Sequence, residues 1–232
     1  MVIESTRNET VKRARALAQR KGRLEQVVHF IEGEKLVREA VVSGAQFVDA
    51  FIEDGHDLMA AVLSGSGANV YTVRRSVMES LTQTGTPQWV CATVKTPEQP
   101  IPEYYPAGLI VALDCVQDPG NLGTILRTAD AMGACGLLLG EGCADPYAPK
   151  PLRAAMGSIY HIPVWQGNLE NEVARLAAQG FTLVCGHLKG ADVLPEPGEK
   201  CVLVIGNEGN GVSDAIAAQC QTYRLPMYGF AE

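Results

Sequence analysis

No apolar run in this sequence approaches the ~20 residues that a membrane-spanning helix needs. Residues 1–10 are polar and lack the apolar stretch of a secretion signal. Both absences predict a soluble, cytoplasmic protein. Metal and disulfide signatures are missing as well. The seven cysteines (Cys91, Cys115, Cys135, Cys143, Cys185, Cys201 and Cys220) are odd in number, scattered and never spaced C-x-x-C. That pattern fits reduced thiols used as small apolar side chains. His29, His56, His161 and His187 show no H-E-x-x-H or related spacing, so no metal site is expected. Neither a G-x-G-x-x-G fingerprint nor a P-loop lysine is present, which counts against dinucleotide and nucleoside-triphosphate sites.

Positive charge is scarce. Nineteen Lys and Arg face 26 Asp and Glu, a net charge of −7. Such a balance opposes generic binding to nucleic acid. Yet residues 1–23 hold seven basic side chains against Glu4 and Glu9, a net +5, which leaves −12 for the remainder. A basic arm on an acidic body is informative, although a solvated helix face explains it equally well.

Enough is present for a core: hydrophobic residues make up 47% of the chain, sufficient for one large α/β domain or two small ones. Residues 8–20 read as a helix, with Val11, Ala14, Leu17 and Ala18 at helical spacing. Residues 27–31 predict a strand, and residues 34–42 a helix with Leu36, Val37, Ala40 and Val41 on one face. Strands over 47–52, 70–73 and 89–94 complete a small sheet, so residues 1–95 form a small α/β domain. Four prolines in residues 96–106 make 96–107 a semi-rigid linker. The second domain, 108–232, opens with the apolar run 108–114, as expected of a parallel strand covered on both faces. A helix follows from Asn121, with Leu122, Ile125, Leu126, Ala129 and Met132 on its buried stripe and Gly133 at its end. Further strands at 136–139, 161–164, 181–185 and 201–205, with a helix over 169–178, predict a mostly parallel sheet with right-handed crossovers.

Three segments carry candidate chemistry. Residues 114–127 begin just past the carboxyl end of a strand, where open α/β sheets place ligands. Asp118-Pro119-Gly120 reads as a turn, and Asn121 suits the cap of the following helix. Arg127 lies off the apolar stripe, near the positive end of the helix dipole, a mild cost that a salt bridge or a bound phosphate would offset. Residues 201–213 run an apolar strand into Gly206-Asn207-Glu208-Gly209-Asn210-Gly211, where glycines let a bound group approach the backbone. Glu208 is either a solvated loop acid or part of a built loop. In the third segment, 223–232, a strand enters Leu225-Pro226-Met227 and a glycine-containing loop. Between the segments, Lys150 and Arg153 flank a helical turn of small residues and either meet phosphates or stand as exposed charges.

Together these segments resemble the SpoU family of the SPOUT methyltransferases. Asp-Pro-Gly-Asn-Leu-Gly-Thr-Ile-Leu-Arg-Thr-Ala-Asp-Ala (118–131) resembles the first family motif, Gly-Asn-Glu-Gly-Asn-Gly-Val-Ser (206–213) the second, and Leu-Pro-Met-Tyr-Gly-Phe-Ala-Glu (225–232) the opening of the third. Arg153-Ala154-Ala155-Met156-Gly157-Ser158 matches a further recurrent segment. Asn8, Lys12, Arg23 and Phe30-Ile31-Glu32-Gly33 are similar to the ribosomal-protein-like RNA-binding domain of many members. The resemblance implies a deep trefoil knot near the carboxyl terminus, a rare exception to unknotted topology. It implies a homodimer with a shared active site, and S-adenosylmethionine as cofactor. Cofactor contacts would fall at Gly206, Leu225 and Met227, with Cys185, Gly186 and His187 adjoining. Asn121, Arg127 and Glu208 match the polar site positions. Lys12, Arg15, Arg23, Lys150 and Arg153 are the expected RNA contacts. The family's third motif continues into Ser-Leu-Asn-Val-Ser; this sequence stops at Glu232, so an incomplete pocket and knot are expected of it.

The expected activity is methylation of a ribose 2′-hydroxyl in RNA, ribosomal RNA first and transfer RNA as its rival. Two other classes stand beside it. A noncatalytic RNA-binding protein would not bind S-adenosylmethionine. A Rossmann-type oxidoreductase would bind a nicotinamide, and the missing fingerprint opposes it.

Overall fold

Short alternating elements in the first hundred residues close on one sheet, and the apolar runs of the second half on another. The computed structural model describes residues 2–82, 84–193, 196 and 198–225. The chain divides into two compact units, Met1–Glu98 with Asp145–His161, and Gln99–Ala144 with Ile162–Glu232. No helix among the described residues is long and apolar enough to cross a membrane. No group of three or more His, Cys, Asp or Glu among them could hold a metal ion.

In the first unit, β1 (Val2–Ile3), β2 (Val28–Glu32), β3 (Phe47–Glu53), β4 (Asn69–Val73) and β5 (Val90–Lys95) form a sheet in the order β1-β4-β3-β5-β2. β5 runs antiparallel to both its neighbours. The predicted helix over 8–20 is instead α1 (Glu9–Ala16) and α2 (Arg20–Gln26). Asn8 caps α1 by accepting from Thr10 N at 2.9 Å. The break follows from close packing. A Cβ on Gly22 would stand 2.2 Å from the Ala16 carbonyl oxygen, and the Arg23 guanidinium takes up the Leu17 and Ala18 carbonyls at 2.7 and 3.2 Å. α3 (Glu34–Val42) has its predicted bounds and buries Leu36, Val37 and Ala40. α4 (Asp57–Gly65) and α5 (Arg75–Leu81) were not anticipated. α4 buries only Met59 and Leu63, too short a stripe to stand out in sequence.

Asp145–His161, with a helix over Pro149–Ala155, belongs to this unit through buried polar contacts. Arg23 meets Asp145 Oδ2 through Nε at 3.0 Å and Nη2 at 2.7 Å. His29, fully buried, bonds the Tyr160 hydroxyl at 2.9 Å and the Thr96 hydroxyl at 3.2 Å. Burial pushes the His29 pKa from 6.5 down to about 3. The unfolded chain therefore binds a proton that the folded unit refuses. This contribution to stability is complete above pH ~6.5 and is lost as pH falls towards 3, by up to about 1.4 kcal/mol per pH unit. Thermal melts between pH 7 and 4 should show a steeper loss for wild type than for His29→Gln; equal slopes would contradict the assignment.

The second unit is one parallel sheet, in the order β11-β9-β10-β6-β7-β8. Its strands are β6 (Leu109–Leu113), β7 (Gly136–Leu139), β8 (Val164–Gln166), β9 (Thr182–Ala191), β10 (Cys201–Ile205) and β11 (Gln221–Tyr223). Ile110, Ala112, Val202 and Val204 of the central strands pack with Leu169, Val173 and Leu176 of the helix Leu169–Ala178. The strand predicted at 161–164 begins only at Val164. A 3-10 turn at Ser158–Tyr160 precedes it, and Pro163 has no N–H to donate to a ladder. The helix expected from Asn121 spans Pro119–Ala131, and its cap is Asp118, which accepts from Gly120 N at 2.6 Å and Asn121 N at 2.9 Å. Leu122, Leu126 and Ala129 are buried, whereas Met132 sits past the helix end and is 71% exposed. The proline-rich stretch is tied down within this unit: the Tyr105 hydroxyl donates to Glu172 at 2.6 Å, and Arg175 holds the carbonyls of Pro102 and Glu103 at 2.8 and 3.0 Å.

Candidate active site

The chain leaves β6 towards β7 on one side and leaves β10 towards β11 on the other, although β6 and β10 are hydrogen-bonded neighbours. Outside their carboxyl ends lies a topological switch point, where open parallel sheets form a crevice. Two loops flank it, 114–118 and 206–213, some ninety residues apart in sequence.

A set of hydrogen bonds latches these loops together. Glu208 accepts from Asp118 N at 2.9 Å, Gln117 N at 3.2 Å and Asn121 Nδ2 at 3.1 Å. Asn207 Nδ2 donates to the Cys115 carbonyl at 2.9 Å, while its Oδ1 accepts from Gly209 N and Asn210 N. Ser213 N donates to Asp114 Oδ2 at 2.7 Å. Cys115 takes a φ of 56°, a left-handed conformation that costs a non-glycine residue roughly 1–2 kcal/mol. Gly206 is required by its own loop, since a Cβ there would stand 2.1 Å from the Gly211 carbonyl carbon.

Glu208 is thus a built part of the site. The Asp118 amide above all, then the Glu208 amide and the Asn121 side chain, hold its pKa at about 2. The latch is present above the ordinary carboxylate value of 4.5 and is lost only as pH falls towards 2. A carboxylate so weakly basic is ill matched to general-base work near neutrality. Arg127 lies on the same helix as Asn121, six residues on and so about 9 Å along the axis. Its side chain is exposed and makes no ion pair or hydrogen bond among the described residues.

The expected cofactor residues fall within β9 and just past β10 and β11. Cys185 on β9 is in register with Val204 on β10 and Thr222 on β11. Gly186 and His187 follow Cys185, Gly206 follows β10, and Leu225, 68% exposed, lies just beyond β11. Met227 lies outside the described residues.

This arrangement has relatives. Residues 108–232 match the SpoU rRNA Methylase family, and residues 8–92 match the MRM3-like substrate binding domain. The chain belongs to the SpoU rRNA methylase family. It is 36% identical over 233 residues to the 23S rRNA (guanosine(2553)-2′-O)-methyltransferase RlmP of Bacillus subtilis, covering 99% of this chain and 92% of that protein. The AdoMet-bound rRNA methyltransferase from Sinorhizobium meliloti superposes with a TM-score of 0.90 at 34% identity, covering 100% of this chain and 91% of that one. The SpoU methyltransferase AviRb from Streptomyces viridochromogenes, in complex with AdoMet, gives 0.81 at 27% identity, covering 97% and 91%. The fold is therefore that of SPOUT methyltransferases, mixed α/β on a parallel sheet.

The residues expected to meet RNA divide in the first unit. Lys12 and Arg15 are exposed on α1, Lys12 in an ion pair with Glu9, and Lys150 and Arg153 are exposed on the helix Pro149–Ala155. Arg23 is 7% exposed and spends its donors on Asp145 and two carbonyls, a structural use. Sequence reasoning missed Asp114, Asn207 and Ser213 as loop fasteners. The one available signal was an Asn at the head of a glycine turn, a residue that bonds backbone amides two and three positions on.

Proposed function

We propose that this chain methylates a ribose 2′-hydroxyl of ribosomal RNA with S-adenosylmethionine as donor. The observation that carries the reading is the Glu208 latch, which sets the helix bearing Asn121 and Arg127 beside the switch-point crevice in a member of the SpoU family. The relatives' substrates and bound AdoMet support it. The first unit, residues 1–98 with 145–161, takes the RNA, and the second unit carries out transfer.

Two features fit S-adenosylmethionine to the edge formed by Cys185, Gly186, His187, Gly206 and Leu225. A Cβ at Gly186 would meet nothing within 4 Å, and Leu225 offers an exposed apolar side chain. When bound, the cofactor supplies an electrophilic methyl group on a sulfonium. Met227 joins this edge by family resemblance. The Arg127 guanidinium offers N–H donors in a planar fork. It clamps the phosphate next to the reacting ribose through paired N–H donors and so orients the hydroxyl. Asn121 and Glu208 hold the loop shape. Glu208→Ala should lower kcat about 100-fold, the scale of a small misplacement of reacting groups, with little change in cofactor affinity. Single-turnover kinetics beside calorimetry check this; wild-type kcat in that variant would contradict it.

A second copy of the chain completes the site. Leu203, midway along the central strand β10, is 38% exposed, and Met132 is 71% exposed. Apolar surface over a sheet centre suits an isologous partner. The cytoplasm, where ribosomal RNA is met, is the proposed location. Transfer of labelled methyl from S-adenosylmethionine to ribosomal or transfer RNA tests the substrate: label in ribosomal RNA is expected, and label confined to transfer RNA would overturn that assignment.

A further inference from the structure

The first unit contains a cavity of about 740 Å³ that the methyl-transfer site does not use. This lies within the roughly 300–1,000 Å³ typical of small-molecule pockets. Its apolar floor includes Leu36 and Leu152, 7% and 1% exposed, and Met156 stands at its mouth, 41% exposed. One wall is Trp89, whose indole stacks on the His56 ring at 3.8 Å between centroids and 9° between planes. His56 is not among the residues that line the cavity, and its stacked ring restrains the indole.

The charges around this cavity are unequal in their freedom. Arg38 is paired with Glu34 at 2.7 Å, and Glu32 accepts from the Thr84 hydroxyl at 2.8 Å and from Gln88 N at 3.2 Å. Both acids are thus engaged. Lys35 and Arg153 are exposed and make no ion pair or hydrogen bond among the described residues. A pocket with a fixed aromatic wall, an apolar floor and two uncommitted cations at its rim fits one flat apolar group flanked by anions.

We infer that this cavity takes a single unstacked base of single-stranded RNA against Trp89, with Lys35 and Arg153 on the flanking phosphates. The inference rests on the RNA-methyltransferase reading and adds a recognition subsite to it. A base inside a duplex is stacked on both faces and cannot enter such a pocket, whereas a splayed base stacks readily on an aromatic side chain. The cations then contribute through phosphate neutralisation, which is sensitive to salt.

Tryptophan fluorescence of the full chain, titrated with a single-stranded RNA of about twelve nucleotides and with its perfect duplex, tests the inference. Trp165, the other tryptophan, is 5% exposed in the core of the second unit, so quenching reports Trp89. Saturable quenching by the single strand is expected; anisotropy of end-labelled RNA, which needs no tryptophan, should show Kd weakened about tenfold in Trp89→Ala and largely kept in Trp89→Phe. Arg153→Glu, a surface change that does not threaten folding, should weaken binding severalfold and flatten its salt dependence. It decides the matter should Trp89→Ala fail to fold. Wild-type Kd in Arg153→Glu and in folded Trp89→Ala would overturn the subsite, as would equal affinity for the duplex. Calorimetry with S-adenosylmethionine on the same proteins separates the two readings: absence of cofactor binding by wild type counts against methyl transfer alone, and the RNA titration decides the pocket by itself.

Discussion

Replacing Arg127 with alanine abolishes measurable methyl transfer, a loss of about 10³-fold or more in kcat, and leaves affinity for S-adenosylmethionine close to that of wild type. The separation follows from position. Arg127 projects from the helix Pro119–Ala131, while the proposed cofactor edge lies within β9 and just past β10 and β11. The side chain has no partner among the described residues, so its removal breaks nothing inside the fold. An arginine committed to structure would instead cost stability when removed. Arg127→Lys keeps the charge but loses the two-pronged geometry, and should recover only part of the activity. Calorimetry and single-turnover assays on the two variants check both halves of the statement.

Arg23→Ala is the opposite case. Its guanidinium is 7% exposed and meets Asp145 at 2.7 Å, with two backbone carbonyls completing its shell. Truncation strands a half-buried carboxylate and two carbonyls, so a loss of about 3–5 kcal/mol is expected. Against a usual total of 5–15 kcal/mol this is a large fraction. Removing both partners, in Arg23→Met with Asp145→Asn, should cost less than Arg23→Ala alone, because no uncompensated charge is left behind. Denaturant melts give the comparison. A double variant less stable than the single one would contradict the account.

These two arginines show how far the sequence could be read. Both were visible as candidate phosphate contacts. Arg127 stood out because it lies off the apolar stripe near the positive end of its helix, a local feature that survives folding. Arg23 was one of seven basic side chains in a run, and nothing near it foretells Asp145, 122 residues on. Local pattern found the helices at Glu34–Val42 and Leu169–Ala178 and the strand Cys201–Ile205 because apolar spacing alone defines them. The cap of the site helix was a closer contest. Asp118 and Asn121 are both competent caps, and Pro119, with no N–H to satisfy and φ already set, favours the first position of a helix and so Asp118 before it. That signal was in the sequence. The latch was not: Glu208 reaches partners 87 to 91 residues away, and its low pKa exists only once those donors converge.

Mapping modified nucleosides by mass spectrometry tests the central claim most directly. Ribosomal RNA lacking this modification is incubated with S-adenosylmethionine and either wild-type protein or Arg127→Ala. The account predicts new methylation on a ribose 2′-oxygen with wild type and none with the variant. Methyl groups on a base, or equal ribose methylation by both proteins, would contradict it.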